Sequence, residues 1–474
     1  MTKISRFFLA GLLLVTVIAF QVKADIKLPA IFGDNMVLQQ QSQVAVWGWA
    51  KANTGVKVTG SWDKKSHSVQ SDGKGYWKLK IQTPAASHAA YTLTVSDGKA
   101  VVLKNVLIGE VWVCSGQSNM EMPMKGFYGQ PIEGGPEAIA HSYNPGIRCF
   151  TVKKAFKVTP QDDCSGTWEA AGAQTTPDFT ATGYFFARLL NQALNVPVGL
   201  IHTSWGGSRI ETWMTPASLK DIPEVTVPAS EADVKSPTGT PTVLYNGMVH
   251  PIAGYGIRGA IWYQGEANRT EAALYVKLFD QMVREWRNIW GVGEFPFYYC
   301  QIAPFNYAMW GGLHSGFIRE AQAKGMLTPN TGMAVLMDAE SIDCIHPPKK
   351  KDAGERMALW ALAKTYGMDK VHYRSPEVKS FTTEGRVAVV TFDLFGSAAG
   401  LTTYGKEILN FKIAGGNKQF HPAKAALSGD KVYIFSPAVA EPVAVRYCFD
   451  DTSATEIFTV EGNLPVSSFR TDEW

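Results

Sequence analysis

Between Val106 and Gly367, strand-like runs alternate with helical ones, and that alternation limits the possible folds more than any other feature. Gly109–Cys114, Val198–His202, Gly259–Tyr263, Phe297–Ile302 and Met333–Met337 are short, apolar runs rich in β-formers. Helical text intervenes at Thr182–Gln192, Glu271–Trp290 and around Arg319–Gln322, and a last helix is expected over Asp352–Tyr366. Strands this apolar, joined by helices, predict a parallel sheet covered on both faces. In the last helix Ala353, Met357, Trp360 and Ala361 fall at i, i+4, i+7 and i+8, one apolar stripe, with Pro347 and Pro348 just before it.

The text on either side of this block is β throughout. From Ile26 to Leu107, runs such as Val44–Trp49, Tyr76–Ile81 and Tyr91–Val95 are punctuated by Asp72-Gly73 and Asp97-Gly98. After Gly367 come Val387–Phe392, Ile408–Ile413, Lys431–Phe435 and Ala444–Tyr447. The expected organisation is a β-sandwich module over 25–105, an α/β domain over 106–370 and a second β-sandwich module over 371–474. A Pro-, Thr- and Ser-rich stretch at 221–242 reads as a surface insertion of the middle domain.

Residues 1–24 read as a secretory signal peptide: Lys3 and Arg6, an apolar run from Phe7 to Phe20, then a small-residue site ending at Ala24. That run is short of the roughly 20 residues a membrane span needs, so the mature chain is expected to carry no span and to be secreted or periplasmic. Cleavage removes Lys3, Arg6 and Lys23 and no acid, bringing the 45 basic residues to 42, equal to the 42 acidic ones. A neutral chain with no basic run longer than Lys349-Lys350-Lys351 is a poor partner for nucleic acid. No Cys/His cluster has metal spacing, so no metal is expected. Of the six cysteines, Cys114, Cys300 and Cys448 lie in apolar runs and read as buried thiols, while Cys149 and Cys164 flank a loop and are the best candidates for a bridge.

In open α/β sheets ligands sit beyond the carboxyl ends of the strands. The first such junction, Gly116-Gln117-Ser118-Asn119, would present a serine hydroxyl, although Met120 stands where a G-x-S-x-G elbow needs glycine. A serine nucleophile needs a base, and the base an orienting acid. Among nine histidines, only His346 and His372 have a carboxylate three residues before them, Asp343 and Asp369. His346 follows a strand at the right end of the sheet, whereas His372 opens the C-terminal module, so His346 is the better base; Asp338 and Glu340 are rival acids to Asp343. Donors for an oxyanion are available at Thr203-Ser-Trp-Gly-Gly-Ser208, which exposes backbone N–H groups, and at Trp262-Tyr-Gln-Gly-Glu-Ala-Asn268, which ends a strand with an amide.

Taken together, the blocks 116–120, 204–211, 262–268, 319–322 and 343–347, with Phe32–Gln40 near the mature start, resemble the SGNH hydrolase superfamily, and within it the sialate O-acetylesterase and related carbohydrate acetylesterase group. The resemblance implies an SGNH-hydrolase-like three-layer αβα domain between the two β-sandwich modules. It implies Ser118 as nucleophile, His346 as general base and acid, and Asp343 as the acid that orients it. The serine-ester chemistry so implied needs no cofactor. The oxyanion hole would comprise the Ser118 and Gly207 N–H groups and the Gln264 side-chain amide. Gln-Gly-Glu replaces the usual third SGNH block, G-x-N-D, which leaves Asn268 as the rival to Gln264. Asn119, Trp205, Arg209 and Glu266 are candidate substrate-binding or supporting residues, and Trp205 with Met120 would bound a small acyl pocket. The expected substrate is an O-acetylated sugar or sialoglycan, with O-acetylated sialic acid first and acetylated xylan or another polysaccharide as the alternative; Arg209 or Arg258 could pair with a sialic acid carboxylate. The reading from another class is a non-catalytic sugar-binding protein.

Overall fold

The computed structural model describes residues 26–312, 314–339 and 341–474; the leader expected at 1–24 lies outside them. Seven strands form the central part of the main sheet: β1 (Ala100–Gly116), β2 (Asn144–Thr151), β3 (Trp168–Ala171), β4 (Val198–Ser204), β5 (Gly259–Tyr263), β6 (Phe297–Cys300) and β7 (Thr331–Ala334). Their order is β7-β6-β5-β1-β4-β2-β3, parallel except for β3, which runs antiparallel at the edge. Every residue of β4 and β5 is buried, as strands covered on both faces must be.

Five helices position the site: α1 (Ser118–Glu121), α2 (Ala181–Leu194), α3 (Ala272–Trp290), α4 (Ser315–Lys324) and α5 (Lys350–Trp360). On one face Tyr184, Phe186 and Leu190 of α2 and Met357 and Trp360 of α5 pack on Trp112, Ile261 and Tyr298. On the other, Phe279, Met282 and Trp286 of α3 and Ile318 of α4 pack on Trp262, Phe297 and Tyr299. The predicted stripe of α5 is buried at all four positions, Ala353, Met357, Trp360 and Ala361, the last in a π-turn that continues the helix.

The expected break at 105/106 is not a break in the chain's structure. Strand β1 is 17 residues long, pairs antiparallel with Ser87–Ser96 in its first part and parallel with β4 and β5 in its last, so one sheet runs through both regions. Beyond Gly367, two antiparallel four-stranded sheets face each other, with Phe392 of one 5.7 Å from Phe469 of the other. This C-terminal part is clamped to the α/β region by the fully buried Arg319 of α4, which donates to the carbonyls of Cys448 and Asp450 and to Ser468 Oγ. Residues 221–242 are mostly irregular and exposed, with one short turn of helix at Glu231–Asp233. All six cysteines are free, so the candidate Cys149–Cys164 bridge does not form. Among the described residues, no helix is long and apolar enough to cross a membrane.

Candidate active site

Strand β1 ends at Gly116, where φ is +137° and an added Cβ would lie 2.1 Å from the Tyr263 carbonyl oxygen. Only glycine lets the β1 and β5 backbones approach so closely while the chain turns. Gln117 fixes that turn: its N–H donates to Tyr263 O (2.9 Å) and its Oε1 accepts from the N–H groups of Gly265 and Ala267. Ser118 then opens α1, and from Val111 to Met120 it is the one residue that is not buried.

Asn119 is 1% exposed and joins three segments. Its Nδ2 donates to Glu266 Oε1 (2.6 Å) and to the Ile345 carbonyl (3.1 Å), while its Oδ1 accepts from Lys350 Nζ (2.7 Å). Lys350 Nζ also donates to the Pro347 carbonyl (2.7 Å). The segment on each side of His346 is thereby tied to the residue after Ser118. Burial pushes the Lys350 ammonium down to about 7, opposed by the charge of Glu266, and burial raises the Glu266 carboxyl. Asn119 and Glu266, expected as substrate contacts, are thus buried buttresses that tie the Ser118 and His346 segments together.

The His346 ring lies edge-on to Phe127 (centroids 5.2 Å apart), and its Nδ1 is 2.6 Å from Gln130 Oε1. An amide oxygen only accepts, so Nδ1 carries the proton and Nε2 keeps its lone pair, the tautomer a general base needs. Phe127 and Gln130 are themselves paired through both backbone N–H groups in one tight turn. Asp343 is not the partner: it is exposed in the turn Ser341–Cys344, and no hydrogen bond to His346 is formed. Of the two rival acids, Asp338 is held in a two-pronged pair with Arg356, both bonds 2.6 Å, and Glu340 lies outside the described residues. His372 lies 3.9 Å from Glu461, away from the site. Burial, with a smaller contribution from Lys350, lowers the His346 pKa to about 4.

Facing Ser118 is the loop after β4. A Cβ on Gly206 would come within 3.2 Å of Ser118 Cβ, so the loop passes directly over the serine. The Gly206 N–H is used by Glu121 Oε2, and Glu121 Oε1 accepts from Lys154 Nζ (2.6 Å), which lies over the Trp205 ring. Gly207, at φ +73°, is exposed, and neither its N–H nor that of Ser118 has an acceptor among the described residues. Those two donors remain available to an oxyanion.

Gln264 does not join them. It is fully buried, and its Nε2 donates to Ser208 O (3.1 Å) and Asn268 Oδ1 (2.8 Å). Asn268 in turn donates to Glu211 and accepts from the Ile210 N–H, so the rival donor is engaged as well. Gln264→Ala is therefore expected to lower stability by about 1–3 kcal/mol, the cost of unpairing buried polar groups, read as a shifted urea midpoint. A direct oxyanion donor would instead lose roughly 10²–10³ in kcat at wild-type stability. Arg209 is also engaged, paired with Glu211 and Glu271, and Arg258 pairs with the fully buried Glu110 near the opposite end of the sheet. Met120 is buried against Thr180 rather than lining an acyl pocket, which leaves Trp205 on that side.

Sequence reasoning overlooked Gln130, Phe127, Glu121 and Lys350; the first three belong to no motif, and the fourth reads as one of three solvated lysines. It also overlooked a second Ser–His contact, His202 Nε2 to Ser204 Oγ at 2.5 Å. Both residues are 5% exposed and His202 Nδ1 has no partner among the described residues, so within them this pair lacks both access and an orienting group.

Residues 108–359 match the family model described as carbohydrate esterase, sialic acid-specific acetylesterase. The chain is 29% identical to the sialate O-acetylesterase of Mus musculus over 413 residues, covering 73% of this chain and 75% of that protein. Against the sialate O-acetylesterase of Homo sapiens it is 28% identical over 385 residues, 72% of each. A carbohydrate acetylesterase from Xanthomonas citri superimposes with a TM-score of 0.85 at 38% identity, over 95% of this chain and 100% of that one.

Proposed function

The chain belongs to the carbohydrate esterase family of sialic acid-specific acetylesterases and is a carboxylic ester hydrolase, and on that premise we propose that it removes O-acetyl groups from sugars through an acyl-enzyme on Ser118. The observation that carries this reading is the lone accessible serine at the end of a buried strand, with free N–H groups at Ser118 and Gly207 and with the segments flanking His346 bonded to its neighbour Asn119. His346 Nε2 takes the Ser118 proton as Oγ attacks the acetyl carbonyl, and the two N–H groups receive the negative oxygen. On collapse, the same proton passes to the departing sugar oxygen. Water, deprotonated by His346, then attacks the acetyl-serine; His346 returns that proton to Ser118 Oγ as the intermediate collapses, and acetate leaves. In this reading the fold is of SGNH-hydrolase type, residues 1–24 are a cleaved leader and the enzyme works in the periplasm or outside the cell.

Charge pairing bears on the sugar. Both guanidiniums that could have met a sialic acid carboxylate are held by Glu211, Glu271 and Glu110. That favours a neutral acetylated glycan over O-acetylated sialic acid. Acetate release from O-acetylated sialic acid, acetylated xylan and acetylated simple sugars tests this; fastest release from sialic acid overturns it.

The lowered pKa of His346 gives a further expectation. Protonation of Nε2 removes the base, so activity falls as pH drops through the folded pKa. With that value at about 4, kcat/KM for p-nitrophenyl acetate should hold from pH 7 to about 5 and lose half its value near pH 4. An acid limb centred near 6.5, where an ordinary histidine titrates, would show that His346 is more solvated than its packing indicates.

A further inference from the structure

Beside the site, one exposed patch is left without a role in the mechanism above. Met309 is 91% exposed, Trp310 51% and Ile342 44%, three large apolar side chains on two adjoining segments. The first segment leaves the carboxyl end of β6, and its Asn306 N–H donates to the Ile342 carbonyl (2.8 Å), four residues before His346. Arg269, directly after the Gln264–Asn268 segment, donates to the Trp310 carbonyl. The patch therefore bridges two of the loops that build the catalytic centre.

The indole is also fixed in place. Phe305 lies 5.5 Å from it at 34°, the Arg269 guanidinium lies 6.0 Å from its centroid and 4.9 Å from that of Tyr307, and the Trp310 backbone N–H donates to the Tyr307 carbonyl (2.7 Å). Tyr307 is buried at 1% exposure, so the turn is anchored from below. An aromatic ring held rigid and half bare, on a turn bonded to segments that lead to His346 and from Gln264–Asn268, loses little entropy on binding a flat apolar surface. A pyranose offers such a surface in the C–H groups of its ring face.

We propose that Trp310, supported by Met309 and Ile342, is a stacking subsite for a sugar residue flanking the acetylated one, which makes the substrate an oligosaccharide or polysaccharide rather than a free sugar. This rests on the sugar-ester reading above and adds the length of the substrate to it. The test compares kcat/KM for an acetylated xylo-tetrasaccharide, an acetylated monosaccharide and p-nitrophenyl acetate in the wild-type protein, Trp310→Ala and Trp310→Phe. The wild-type protein should prefer the tetrasaccharide to the monosaccharide. In Trp310→Ala the tetrasaccharide-to-p-nitrophenyl acetate ratio should fall roughly tenfold, mainly through KM, with partial recovery in Trp310→Phe.

An unchanged ratio in Trp310→Ala, or no wild-type preference for the tetrasaccharide, overturns the subsite. So does a wild-type dimer in sedimentation that Trp310→Ala dissociates, because the patch is then a contact between copies. Failure of the nucleophile assignment shows separately, as hydrolysis surviving in Ser118→Ala.

Discussion

Ser118→Ala is expected to lower kcat for p-nitrophenyl acetate by at least about 10⁴-fold, since triad members act as a unit and what survives is binding and oxyanion stabilisation. The protein should stay folded, because Ser118 is partly exposed and its side chain makes no hydrogen bond among the described residues. Circular dichroism and an unchanged urea midpoint establish that point before kinetics are read. Retention of more than a few per cent of wild-type kcat in the folded variant would move the nucleophile elsewhere, and Ser204, bonded to His202, is the residue to examine next.

His346→Ala should cost a similar factor, and the Ser118/His346 double variant little more than either alone. The sharper comparison concerns what orients the imidazole. Gln130 holds Nδ1 in the structure and Asp343 does not, so Gln130→Ala should reduce kcat by roughly 10–10²-fold and Asp343→Asn by less. An amide in this place sets the tautomer as a carboxylate does, but offers no charge to the imidazolium formed in the transition state. A larger loss from Asp343→Asn than from Gln130→Ala would mean that the turn Ser341–Cys344 swings the carboxylate onto His346 during acylation, and the orienting role would pass to Asp343.

The parallel sheet was legible because burial on both faces leaves continuous apolar runs, as at Val198–Ser204 and Gly259–Tyr263. The change of texture at Val106 was also genuine, but it marks a change of burial. Residues 100–105 of β1 are largely exposed and 106–116 are all buried, within one unbroken strand. Ser118 and Gly207 stood out as candidates because each follows closely on a strand end, where chain direction alone sets the position. Gln264 and Asn268 could not be told apart, because the direction of a terminal amide depends on acceptors such as Ser208 O and Glu211, supplied from another loop. Lys350 was hidden for a related reason: its neighbours in sequence are charged, while its neighbours in space are Asn119, Tyr263 and Pro347 O.

The shared strand bears on how such a chain could change over generations. A gene rearrangement that joined a different amino-terminal segment at residue 105 would have to splice into the middle of β1, whose last residue lies two positions before Ser118. Losing or gaining one residue there exchanges inward and outward side chains along the rest of the strand. Any exchange of parts that preserved Ser118 in its place would need its seam before Val37, the first residue of the strand that pairs parallel with Leu107–Gly109 of β1, or within the loops of the other half. The amino-terminal sheet and the hydroxyl group are therefore inherited as one piece, whereas the carboxyl-terminal pair of sheets, held by side chains such as Arg319, offers evolution a seam that crosses no strand.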